Sequence, residues 1–136
     1  MRQSIDMDIL FVDTGAFLAY FSLKDPHHKK ARKVIDTAKK IIITDYIYDE
    51  LLTLARRRLG IDASISIMQH IKHNKDIEIA VITEKDKNIA ETIFVKYKDK
   101  DFSFTDCTTF AVIQHFGFKS ILSFDKHFKQ YGISTL

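Results

Sequence analysis

The sequence is short of the residues that most often announce a function on their own. Cys107 is the single cysteine among 136 residues, so no internal disulfide can form, and a reducing compartment is expected. The four glycines build neither a Gly-x-Gly-x-x-Gly fingerprint nor a Gly-Lys-Ser/Thr loop, which excludes the dinucleotide and P-loop readings. No apolar run approaches the roughly 18 residues of a membrane span. The first residues, Met1-Arg2-Gln3-Ser4-Ile5-Asp6, lack the apolar stretch of a secretory leader. The expectation is a cytoplasmic protein without a membrane partner. Internal repeats, low-complexity tracts and linkers are missing as well. Neither sign of charge dominates: 21 Lys+Arg against 18 Asp+Glu give +3 with the histidines neutral, too small a bias to establish nucleic-acid binding.

What is present is an alternation of apolar runs and amphipathic stretches. Hydrophobic residues make up 46% and charged residues 29%, ordinary for a globular chain, and the length suits one domain, 1–136, around one core. Ile9-Leu10-Phe11-Val12 runs straight into Asp13-Thr14-Gly15 and reads as a strand buried on both faces. Comparable runs follow at 41–43, 77–82 and 121–124, with a short fifth at 133–136. Helices are expected over 16–21, capped by Thr14; over 27–40, after Pro26; and over 46–59, capped by Thr44 or Asp45 and closed by Gly60. Three more are expected: 62–73; one from a Thr83 cap to 98; and one from Ser103 or Thr105 to 116, closed by Gly117. Strands alternating with helices imply a parallel sheet covered on both faces, an α/β sandwich.

Four acids stand out by position. Asp13 and Asp125 follow strands. Asp106 lies in the first turn of its helix and, at about 100° per residue, shares an apolar face with Thr109, Phe110 and Ile113. Glu50 flanks the apolar stripe of its helix, and Asp49, beyond the opposite edge, competes with it; the helical wheel separates the two only weakly. Singly, each acid has an ordinary explanation as a turn, cap or surface residue. Together they fall on one rim of the sheet, where open α/β sheets bind ligands. Converging carboxylates repel one another and call for a cation. Oxygen-only donors select a hard ion, Mg²⁺ or Mn²⁺, and such a site serves phosphate chemistry. A receiver-type phosphorylation domain would want an acid after the third strand, where Thr83 stands.

Among the remaining residues, Arg56, Arg57 and Arg58 are either the basic end of a helix or contacts to a nucleic-acid backbone, and His127 is a loop histidine that could touch a phosphate. The basic cluster from His27 to Lys33 reads as a solvated helix face. His70 and His73 have no acid or third histidine placed beside them, and Cys107 reads as a packing residue. The phenylalanine-rich C-terminal third reads as core or as a dimer face rather than a base-stacking platform.

Phe11-Val12-Asp13-Thr14, Tyr48-Asp49-Glu50-Leu51-Leu52, Ser103-Phe104-Thr105-Asp106-Cys107 and Ser123-Phe124-Asp125-Lys126-His127-Phe128 resemble, in order and spacing, the four acidic motifs of the PIN domain. This is the metal-dependent ribonuclease family that includes VapC toxins. The resemblance implies a three-layer α/β/α sandwich around a parallel five-stranded sheet in the order 3-2-1-4-5. It selects Glu50 over Asp49 and puts Asp13, Glu50, Asp106 and Asp125 in a catalytic Mg²⁺ or Mn²⁺ site, with Thr14 and Thr105 steadying them from outside. Gly15 stands where many relatives have serine or asparagine. The implied function is an endoribonuclease hydrolysing RNA phosphodiester bonds, the toxin of a type II VapBC pair, acting as a homodimer and neutralised by a small antitoxin protein. The alternatives are an RNA-processing nuclease outside any toxin pair and a non-catalytic RNA-binding scaffold; the second should have lost acids, and all four are present.

Overall fold

Four of the apolar runs become the strands of a parallel sheet. The computed structural model describes residues 8–136; the expectation about a leader falls on residues 1–6, outside them. The elements run β1 Ile9–Val12, α1 Thr14–Phe21, α2 His28–Thr37, β2 Lys40–Thr44, α3 Asp45–Leu59, α4 Ile61–His73, β3 Ile77–Ala80, α5 Glu84–Lys96, α6 Phe104–Phe116, β4 Ile121–Leu122 and α7 Lys126–Tyr131. The sheet order is β3-β2-β1-β4, with Phe11 opposite both Ile42 and Ile121 in the register. Leu10, Phe11 and Val12 are completely buried, as a continuous apolar run in an inner strand requires.

The chain moves outward from β1 to β2 to β3, then returns to the other side of β1. Right-handed crossovers place α1 to α4 on one face and α5 and α6 on the other. The reversal opens a crevice beyond the carboxyl ends of β1 and β4. The core on both sides is apolar, with Phe17, Leu51, Phe110 and Phe128 fully buried. Phe102 and Phe128 each meet the Phe110 ring at 5.2 Å, so this part of the phenylalanine-rich region is core, while Phe116 is exposed.

The expected fifth strand is a correction: among the described residues the sheet has four strands, and 133–136 form none. The reason is where the donors go. Gly132 closes α7 in the left-handed region at φ 104°, and the Gly132 and Ile133 amides bond the Phe128 carbonyl at 3.0 and 2.8 Å. Among the described residues one backbone hydrogen bond ties the tail to the sheet edge, Leu136 N–H to the Ile121 carbonyl at 2.8 Å. Helix α7 is an addition the sequence did not suggest, six residues with Phe128 alone buried. Asp13, not Thr14, caps α1, and Thr14 is its first residue. Lys40 belongs to β2 rather than to α2. Strand β3 stops at Ala80; beyond it the Ile82 amide donates to the Asp45 carboxylate at 3.0 Å. No helix among the described residues is long and apolar enough to cross a membrane.

Candidate metal centre and nucleic-acid cleft

Asp13 leaves β1 at the crevice and serves two structures at once. One carboxylate oxygen accepts the Ala16 N–H at 2.8 Å and caps α1. The other accepts the hydroxyl of Ser123, from just past β4. The same Ser123 oxygen accepts the Asp125 amide at 3.1 Å. One buried serine therefore ties the ends of β1 and β4 together and fixes two acids. Asp125 in turn caps α7 by accepting the His127 amide at 2.9 Å.

Asp106 is the third residue of α6 and closes a capping box with Ser103: its Oδ2 accepts the Ser103 N–H, and the Ser103 hydroxyl accepts its amide, both at 3.0 Å. The His127 Nδ1 lies 2.9 Å from the same Oδ2 and 3.4 Å from Asp125 Oδ1. The ring bridges two acids rather than standing free in a loop. Glu50 is carried by α3. A cavity of about 310 Å³ is lined by Asp13, Glu50, Asp106 and Asp125, with Asp101, Arg58 and His127 at the same walls. The four acids singled out from the sequence thus line one space. Asp49 lies in a different hollow with Thr53 and Arg56.

Burial, the largest influence, pushes the Asp13 carboxyl up to about 7 against the opposing bonds from Ser123 and Ala16, and the charges of Asp125 and Asp106 push the same way. Asp106 is also raised, first by burial and further by Asp125, against the bonds from Ser103 and His127. Buried acids whose neighbouring charges add to the cost of ionisation are relieved by a cation. Asp106, Asp125 and His127 offer ligand atoms within 4.8 Å of one another, and the carboxylate-rich set suits a hard divalent ion. The residues present fit a metal centre.

Thr14, Gly15 and Thr105 also border the cavity. The hydroxyls of Thr14 and Thr105 bond none of the acids; the supporting contacts come from Ser123 and Ser103. A methyl-sized group at Gly15 would meet nothing within 4 Å, so neither space nor backbone demands glycine there. Ser123 and Asp101 are the lining or supporting residues the sequence reading passed over, while Ser103, expected there as a helix start, also braces Asp106. A polar residue ending the run Ile121-Leu122-Ser123 was the available signal for the first.

A model of the PIN domain matches residues 10–133, and the chain belongs to the PIN domain family. Within it, the chain is 27% identical over 121 residues to Ribonuclease VapC26 of Mycobacterium tuberculosis, covering 88% of this chain and 89% of that protein. It is 26% identical over 125 residues to the 23S rRNA-specific endonuclease VapC20 of the same species, with coverages of 91% and 95%. The crystal structure of Mycobacterium tuberculosis VapC20, described as a sarcin-ricin loop cleaving toxin, superposes with a TM-score of 0.85 at 24% identity, over 92% of this chain and 96% of that one. The fold is shared with VapBC2 from Rickettsia felis, solved bound to a promoter DNA fragment, at a TM-score of 0.69 and 11% identity over 94% of this chain and 97% of that one.

Proposed function

We propose that the chain is a Mg²⁺- or Mn²⁺-dependent endoribonuclease, the toxin of a VapBC-type pair acting in the cytoplasm. The observation that carries this reading is the convergence of Asp13, Glu50, Asp106 and Asp125 on one cavity at the sheet's switch point. The relatives' names, ribonuclease and rRNA endonuclease, supply the substrate class.

A divalent ion, when bound, polarises the phosphoryl group, lowers the pKa of a water and stabilises the leaving oxygen. Asp13, Asp106 and Asp125 would hold it. Ser123 and Ser103 keep two of these carboxylates from turning away, and His127 braces Asp106 against Asp125. Glu50, lining the same cavity, orients the attacking water. Water adds to phosphorus as the bond to the leaving ribose oxygen breaks, so the protein forms no covalent intermediate. Arginine at the basic end of α3 meets the RNA backbone. Like other members of such pairs, the chain would dimerise and be silenced by a small antitoxin protein that reaches the acidic cavity. Bound to DNA, VapBC2 is a solved example of such a pair.

The test is Mn²⁺-dependent cleavage of a total RNA pool by wild type and Asp13→Asn. Loss of cleavage in the variant, with its fold retained, supports the reading; cleavage at the wild-type rate overturns it. Co-expression with the small protein encoded next to it should abolish cleavage, and a chain with no such neighbour would point to RNA processing instead.

A further inference from the structure

We infer that Arg58, and neither Arg56 nor Arg57, receives an RNA phosphate flanking the scissile one; the inference rests on the nuclease reading above. Three consecutive arginines on a helix point about 100° apart, so one face of α3 can carry only one of them. Glu50, Leu54 and Arg58 succeed one another at four-residue spacing and line the acid cavity together. Arg56 lies in the separate hollow with Asp49, and Arg57 lines neither space.

Arg58 shares a cavity with five carboxylates, Asp13, Glu50, Asp101, Asp106 and Asp125. Among the described residues it forms an ion pair with none of them. Its guanidinium is thus a cation left unneutralised at the wall of an anionic pocket, and a bidentate fork suits a phosphate. Eight residues of helix separate it from Glu50, about 12 Å along the axis. With its backbone offset from that of Glu50 by this distance, the side chain enters the shared cavity from one side of the acids, toward a phosphate flanking the reacting one. The arrangement gives the cleft a direction: acids at the cut, arginine beyond it.

The experiment uses full-length protein carrying Asp13→Asn, so that RNA is bound and not cleaved. The probes are a fluorescent single-stranded RNA octanucleotide and a dinucleotide that contains only the central phosphate. Arg58→Ala is expected to weaken octanucleotide binding about tenfold and to reduce the slope of log affinity against log salt by about 0.7. Dinucleotide binding and the melting temperature should hold. Arg58→Lys should restore the salt slope, and Arg56→Ala and Arg57→Ala should change affinity less than about twofold. Equal losses at Arg56 or Arg57, an equal loss on the dinucleotide, or no loss at Arg58 would each overturn the inference. Those results leave the nuclease reading intact, which stands or falls separately on whether Asp13→Asn abolishes cleavage.

Discussion

Burial lifts the Asp13 carboxyl to about 7, and the sign of that shift sets a stability prediction for the metal-free protein. The unfolded chain gives up this proton near 3.8, while the folded chain keeps it to about 7. The stabilising contribution is complete below the lower value and is lost as pH rises through the window, leaving a penalty of at most about 4 kcal/mol above it. Asp13→Asn carries no charge, so without metal it should melt above wild type at about pH 8 and converge with it near pH 4. Thermal melts across that range check this. Ser123→Ala removes the hydroxyl that holds Asp13 and the Asp125 amide, and metal-dependent cleavage should fall about 10- to 100-fold in steady-state assays. Asp13, Asp106 and Asp125 were legible because each ends a strand or opens a helix. Glu50 against Asp49 was not decided by the wheel; the structure separates them by placing Asp49 beside Arg56. Ser123 had no motif of its own, because its role exists only once β1 and β4 lie side by side.

At the level of elements, two helices begin with the same device and differ in what the device touches. Thr83 and Ser103 each cap a helix in a reciprocal box, with Asp86 and Asp106 respectively. Asp86, remote from the cavity, also pairs with His115 at 3.3 Å. Thr83→Ala and Ser103→Ala should each cost about 1 kcal/mol in denaturant unfolding. Only Ser103→Ala should also lower cleavage, since it loosens the turn whose aspartate lies in the site; equal activity in the two variants would show that the cap does not position Asp106. Long periodic helices such as α3 and α4 were readable to within a residue or two. Helix α7 was not, because six residues with one buried side chain carry no periodic signal. Asp125 looked like a strand terminator because the cap it forms depends on that unseen helix. The supposed fifth strand failed for the same reason: its first donors are spent closing α7.

For the whole molecule, the acid cluster couples folding to metal. An ion that binds only the folded chain, present at a hundredfold over its Kd, stabilises it by about 2.7 kcal/mol. A rise of roughly 10 °C in the Tm of wild type with Mn²⁺ is expected for a chain of this size, and little or none for Asp13→Asn; equal rises would place the metal elsewhere. The layer order was legible from the alternation of strands and helices, whereas the strand count was not, because edge strands are short. One such edge has a reach beyond its size. The Leu136 amide holds the Ile121 carbonyl, and the Asp13 amide holds the Leu122 carbonyl at 3.2 Å. On the far side, Lys30 donates to the Leu136 carbonyl at 3.3 Å. Strand β4 has only two residues, both buried, so few backbone bonds fix its place beside β1. Those bonds also fix Ser123 and Asp125 beside Asp13, so the spacing of the acids depends on contacts made by residues more than a hundred positions apart in the sequence.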